Sequence, residues 1–466
     1  MSKRNPSWRA CATLIFVLSS ALLPSIATAQ RAELQKIIKQ KVLPNGLEVI
    51  VVENHGVPLV TLEVDVKNGS FTQTPDYAGL AHLYEHMFFR ANARYPMPDA
   101  FVARAGDLGS IYNASTREEV VNYFVTLPAD SIREGIRLLA SALKAPLFLQ
   151  DELERERQVV IGEYDRNESS PGFVITQRMD SLLYPGNFSR KNVIGDRQVI
   201  LSTTPAKMRS IQAKYYIPNN SAVIVAGDVN PDDVFRIVEQ ELGDWKLGPD
   251  PFVADPVPPI PPLTKNAEVI AEAPVGAVTV LIQWQGPSVG KDPAATYAAD
   301  VFSDVLNDPQ SRFQQRLADS GLWQGVLVNY YTLNHTGPIT ISGQTSSENF
   351  RAAMKALQDE IAKFDTPGYF DPDELTAVKA HRAVTSAFDR ERASGFAHTL
   401  GFWWSVANLE YYMGYVDNMA RQSVSDLRAY ARKYIIGKPR VTGVLIHPDA
   451  RRALGLTERD LAGGSN

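Results

Sequence analysis

Two separated stretches of this chain carry the same succession of apolar positions, and a repeat of this length restricts the fold to a duplicated unit. Residues 60–70 match residues 278–288 as an apolar strand running into a Gly-containing turn. The segment His82-Leu83-Tyr84-Glu85-His86-Met87 then falls on Asp300-Val301-Phe302-Ser303-Asp304-Val305, with the apolar positions kept. Farther along, Met208 to Tyr215 pairs with Leu427 to Tyr434, each leading into an apolar strand, and Asp151-Glu152-Leu153 pairs with Asp373-Glu374-Leu375. Between the copies, residues 248–264 contain seven prolines, a composition that favours stiff, extended chain. Within each copy, strand patterns such as 47–52 and 59–66 precede helical ones, and a further strand such as 222–226 follows. Each half therefore reads as α+β, a largely antiparallel sheet with helices on one face.

The copies differ where chemistry is concerned. His82 to His86 reads HxxEH, the reverse of the zinc-peptidase signature HExxH. On a helix, His82 and His86 share a face four residues apart, and Glu85 lies one turn from His82 on nearly the same side. Two imidazoles can then grip one ion while the carboxylate reaches a water in an open coordination position. Thr74 as cap, Pro75 at the first position, Asp76 in the first turn and the stripe Leu80, Leu83, Met87 predict a helix that starts at 75. In the second copy Asp300, Ser303 and Asp304 stand in place of His82, Glu85 and His86.

A third protein ligand is sought in the acid-rich helical stretch 151–164. Glu156 and Glu163 lie seven residues apart on one stripe beside Val159 and Val160, which makes both inward-facing candidates. Glu152 and Glu154 are expected on a solvated, salt-bridged face. Spacing alone does not choose between Glu156 and Glu163. Thr385 takes the place of Glu163 in the second copy.

These features together resemble the pitrilysin or insulinase family of zinc peptidases, in which HxxEH is followed well downstream by a glutamate ligand; here the interval is 163 − 86 = 77 residues. The resemblance covers nearly the whole chain after its leader. It implies His82, His86 and Glu163 as ligands of one Zn2+, Glu85 as catalytic base, and Glu156, seven positions before the third ligand, as the acid that supports the site from behind. Zinc rather than manganese or cobalt rests on the ligand set and on this resemblance. Tyr112-Asn113-Ala114-Ser115-Thr116, followed by the apolar strand from Val120, is similar to the family's NAxT edge strand, which implies that Asn113 and Ala114 bind the substrate backbone. Strand addition at an open edge uses main-chain hydrogen bonds and so tolerates many sequences.

The implied organisation is a leader over 1–29, a catalytic domain over 30–247, a linker over 248–264 and a degenerate homologous domain over 265–466. Family members near this size supply half of a four-domain clamshell, so the resemblance implies a dimer enclosing peptides or unfolded segments. In the family's inactive half an arginine and a tyrosine reach toward the substrate; aligned on Gly321-Leu322, Leu317 and Gln324 stand there, with Arg316 and Tyr330 nearby at the wrong spacing. That departure points to a heterodimer with a sister subunit, with a homodimer as the alternative. The competing function is a non-catalytic scaffold or binding subunit, against which the first half keeps every element of HxxEH.

Lys3, Arg4 and Arg9 precede an apolar run over 12–23, and Ala27-Thr28-Ala29 supplies a cleavage site, which reads as a secretory signal peptide and a periplasmic protein. The run is shorter than the ~20 residues of a membrane span, so no stable anchor is expected. The single cysteine, Cys11, lies within that leader, which excludes thiol catalysis, disulfides and cysteine metal ligands from the rest. A net charge of −5 gives no nucleic-acid footprint. Gly286-Pro287-Ser288-Val289-Gly290 matches the serine-hydrolase GxSxG, but a proline beside the serine fits that turn poorly. His55, His335, His381, His398 and His447 stand singly and are expected to be packed or surface residues. Phe402, Trp403, Trp404, Tyr411 and Tyr412 are expected in a core.

Overall fold

A computed structural model describes residues 31–462, and the leader inferred over 1–29 lies outside them. The first sheet comprises β1 (Ile38–Val42), β2 (Glu48–Glu53), β3 (Leu59–Val66), β4 (Ile111–Thr116), β5 (Val121–Pro128) and β6 (Ser221–Gly227), in the order β1-β2-β6-β3-β5-β4. The second comprises β7 (Ala267–Glu272), β8 (Val278–Gln285), β9 (Gly325–Tyr330), β10 (Pro338–Thr345) and β11 (Val441–Ile446), in the order β7-β11-β8-β10-β9. Apart from β1, the two orders are the same. Each sheet is antiparallel but for one pair, β2 with β6 and β7 with β11. The repeat in the sequence is thus a repeat of topology.

Alternation along the strands sorts the residues into two faces. Val60, Leu62, Val64 and Val66 of β3 and Val121, Tyr123, Val125 and Leu127 of β5 enter the main core of the first half. Helices α1 (Leu80–Phe88), Ile132–Lys144 and Pro231–Leu242 cover that face, and α2 (Gln150–Glu168) packs on α1.

The opposite face of each sheet is not left to solvent, because a helix crosses to it from the other half. Helix α3 (Pro171–Leu183) leaves the first half and sets Ile175, Met179 and Leu183 against Val269, Ala271, Val441 and Leu445 of β7 and β11. In the second half, α4 (Pro293–Asn307) and α5 (Pro372–Phe388) repeat α1 and α2, and α6 (Ala393–Val406) sets Phe396, Ala397, Leu400 and Trp404 against Ile50, Val52, Ala222 and Ile224. Gly401 permits this approach, since a Cβ there would lie 2.4 Å from the Asp65 carboxylate of β3. Trp404 and Tyr412 pack in this interior and Tyr411 in the core of the second half, as expected, whereas Trp403 is half-buried and Phe402, also half-buried, stands outside the core with Arg117 over its ring at 5.7 Å.

Polar contacts tie the halves as well. Glu119, buried in the β4–β5 turn, accepts from the backbone N–H groups of Asn334 (2.6 Å) and His335 (2.8 Å) and pairs with His335 Nδ1 at 2.9 Å. His398 Nδ1 of α6 meets buried Glu63 of β3 at 2.5 Å. The proline-rich segment is less extended than its composition suggests: Asp250 caps a short helix, Pro251–Ala254, and Phe252 stacks on Phe71 with centroids 5.4 Å apart.

Candidate metal centre

The helix that carries HxxEH begins later than the sequence predicts. Pro75–Tyr77 forms a separate 3-10 turn without a side-chain cap from Thr74, and α1 starts at Leu80 after Gly79 adopts φ 91°. Only glycine suits that left-handed turn, and the Gly195 backbone packs so closely that a Cβ on it would lie 2.1 Å from Gly79 Cα. Gln73 Oε1 accepts the Gly79 N–H at 2.5 Å, which takes over the capping role. Leu80, Leu83 and Met87 are buried as the stripe implies, which leaves His82 and Glu85 facing the cleft and His86 facing α2.

From α2, Glu163 points at both histidines: its Oε2 lies 3.4 Å from His82 Nε2 and 3.7 Å from His86 Nε2. One ligand atom from each of the three residues falls within 4.8 Å of the others. Glu156, two turns earlier, is turned the other way. Its Oε2 lies 3.3 Å from His86 Nδ1 and its Oε1 is 2.8 Å from Arg90 Nη2, so it stands behind His86 rather than beside Glu163. A carboxylate on Nδ1 leaves Nε2 free to bind a metal and fixes the ring's orientation. Glu85 Oε2 accepts from Thr116 Oγ1 at 2.6 Å, which ties Glu85 to the end of β4.

Two imidazole nitrogens and one carboxylate oxygen facing a common cleft are the donor set of a catalytic zinc site, with a coordination position left for water. The two imidazoles differ electrostatically. Burial, with the neighbouring His86, pushes His82 down to about 4, so it is neutral and able to ligate. Burial also lowers His86, but its hydrogen bond to Glu156 and the charges of Glu163 and Glu85 outweigh this and raise it. Burial raises Glu85 above the usual carboxylate range, opposed by the Thr116 hydrogen bond. Glu156 is held low because the His86 and Arg90 contacts overcome its burial.

Beside these residues opens a cleft of about 460 Å³, bounded by His82, Glu85, Thr116 and Glu163 on one side and by α3 on the other. Asn113 and Ala114 lie just upstream of Thr116 on β4, whose outer edge pairs with no strand among the described residues. The Ala114 N–H is occupied by Asn113 Oδ1 at 2.9 Å, a bond within the strand itself. The matching edge of β9 is closed by side chains: Asn307 donates to the Val328 carbonyl at 2.7 Å and accepts its N–H at 2.8 Å, and Gln314 donates to the Val326 carbonyl at 2.9 Å.

One expectation on α2 is overturned. Glu152 is buried and accepts the Ala91 N–H at 3.2 Å, because the chain after α1 folds over the start of α2; Glu154 is exposed as expected. Sequence reasoning gave no role to Thr116, Arg90 or α3, although Thr116 stood inside the NAxT segment. Ser288 is buried with its hydroxyl donating to the Asn334 carbonyl, a structural role. Leu317 is buried in the core, Arg316 pairs with Glu360 at 3.1 Å, and Tyr330 donates to the Pro287 carbonyl at 3.1 Å. Of the single histidines, His55 pairs with Asp228 at 2.6 Å and His447 caps the following helix.

The family model described as Insulinase (Peptidase family M16) matches residues 48–195, and the one described as Peptidase M16 inactive domain matches residues 202–381. Over 435 residues the chain is 30% identical to a Helicobacter pylori protein named zinc protease PqqE, covering 90% of this chain and 95% of that one. A solved Helicobacter pylori protease superposes with a TM-score of 0.79 at 21% identity, over 88% of this chain and 99% of that one. The periplasmic protease PqqL from Escherichia coli superposes with a TM-score of 0.77 at 18% identity, over 92% of this chain and 50% of that larger one. The full-length likeness in sequence, carried on the duplicated fold, places this chain in the insulinase (M16) family of peptidases, the pitrilysin family.

Proposed function

We propose that this chain is a zinc-dependent endopeptidase or oligopeptidase acting on peptides or unfolded segments, with residues 30–247 catalytic and 265–466 a degenerate domain joined to them by 248–264. The observation that carries this reading is the convergence of His82, His86 and Glu163, with ligand atoms within 4.8 Å of one another, at a cleft that Glu85 also lines. Bound there, zinc supplies Lewis acidity, polarising the scissile carbonyl and acidifying a water. Glu85 takes the proton from the attacking water and returns it to the leaving amine, and its raised affinity for that proton suits both steps. The Thr116 hydroxyl aims the Glu85 carboxylate, while Glu156 and Arg90 fix His86. Asn113 and Ala114 offer the β4 edge to the substrate backbone. An acting pair of chains, as a heterodimer with a sister subunit or as a homodimer, encloses the substrate in the periplasm. The name zinc protease PqqE borne by a full-length relative supports the activity.

The test is metal analysis of the purified protein together with cleavage of a quenched peptide library, with and without chelator. Turnover that a chelator stops, with about one zinc per chain, supports the reading. Zinc bound without turnover in the isolated chain points to the sister subunit, and turnover indifferent to chelator contradicts the metal mechanism.

A further inference from the structure

The cleft holds three carboxylates, and the reaction as described uses only Glu85 and Glu163; the third is Asp180 on α3. Phe173, Thr176, Gln177 and Asp180 line the cleft at spacings of three, four and seven, one face of the helix. The other face of α3 is fastened to β7 and β11 through Ile175, Met179 and Leu183, so this wall is rigid. The Gln177 amide is already engaged, donating to Asn192 Oδ1 at 2.9 Å. Lys191 is the one basic residue of the lining apart from His82, and its ammonium is turned away: it donates to the Thr336 carbonyl at 2.6 Å and sits 4.7 Å from the Tyr184 ring centre. Glu118 and Glu119, outside the lining, also act on Lys191. No ion pair reaches Asp180 among the described residues; Lys191 acts on it from a distance. Burial and then Glu118 push its carboxyl up to about 7, a strain that a cationic guest would relieve.

We propose that Asp180 is a specificity-determining residue that receives a lysine or arginine side chain of the peptide held at the metal site, so that this chain selects substrates with a basic residue near the cut. The proposal rests on the peptidase reading above. The cleft of about 460 Å³ is large enough for such a side chain together with adjoining backbone.

The test uses full-length zinc-loaded Glu85→Gln protein and labelled peptides that differ at a single position, carrying lysine, arginine, norleucine or glutamate, with that position moved along the peptide. Fluorescence anisotropy is expected to show, at one position, lysine and arginine bound about tenfold or more tighter than norleucine, as a charge-assisted contact gives. Adding Asp180→Asn should remove that preference and leave the norleucine peptide unchanged, while Asp180→Glu should retain part of it. Equal binding of basic and norleucine peptides at every position, or an equal loss for all peptides in Asp180→Asn, would overturn the proposal. Cleavage of the norleucine peptide by the wild-type chain, with and without chelator, reports separately on the peptidase reading, since turnover indifferent to chelator would sink that reading and leave the role of Asp180 standing.

Discussion

Arg382 holds Asp304 with two donors, its Nε 2.8 Å from Oδ2 and its Nη2 on Oδ1, and this pair spans α4 and α5 where His86 and Glu163 face each other across α1 and α2. Where the first half brings candidate metal ligands together across two helices, the second half holds an ion pair. Arg382→Met should leave Asp304 without its partner and cost about 1–3 kcal/mol, less than a fully enclosed pair because both side chains are partly exposed. Urea denaturation measures this, and zinc content should not change.

Next to that pair, burial pushes Asp300 up to about 7, although the Tyr415 hydroxyl donates to it at 2.7 Å. The folded chain holds this proton more tightly than the unfolded chain, whose aspartates titrate near about 4. Between about pH 4 and 7 stability therefore falls as the pH rises. Asp300→Asn keeps an acceptor for Tyr415 and should raise the unfolding midpoint at about pH 8 while leaving that at about pH 4 little altered. Asp180, raised to about 7 as well, contributes a slope of the same sign, so the variant reduces the pH dependence without abolishing it.

Glu156 stands behind His86, so removing its charge should loosen the metal without touching a ligand. Glu156→Gln should weaken zinc about 10–100-fold, read by competition with a fluorescent chelator. An unchanged affinity would confine Glu156 to its contact with Arg90.

Thr116→Val should leave zinc bound and the fold intact, since it removes one hydroxyl from the end of β4. Without that donor Glu85 loses its aim, and kcat/KM should fall about tenfold or more. Steady-state kinetics beside metal analysis separates this from loss of the ion.

Much of this arrangement was legible because it is local. The repeat followed from apolar periodicity, and HxxEH places two imidazoles on one helical face whatever surrounds it. The features that were not legible depend on contacts distant in sequence. The crossing of α3 and α6 to the opposite sheets leaves no mark beyond Ile175, Met179 and Leu183 on one helix and Phe396, Leu400 and Trp404 on the other, a pattern any buried helix carries. The start of α1 was misjudged because Thr74 and Pro75 are strong local signals, whereas the turn at Gly79 is imposed by Gly195, more than a hundred residues away. Glu152 looked solvated because nothing near it in sequence announces that the Ala91 N–H will need an acceptor. Glu156 and Glu163 were equivalent by spacing, and only the orientation of α2 sets one behind His86 and the other before it.

In the proposed mechanism Glu85 moves the proton while His82, His86 and Glu163 hold the ion. Its most direct test is zinc content and initial cleavage rate measured side by side for the wild type and Glu85→Gln. About one zinc per chain is expected in both, with turnover lower by about 10²–10⁴-fold in the variant. Zinc-loaded Glu85→Gln that cleaves at the wild-type rate would contradict it.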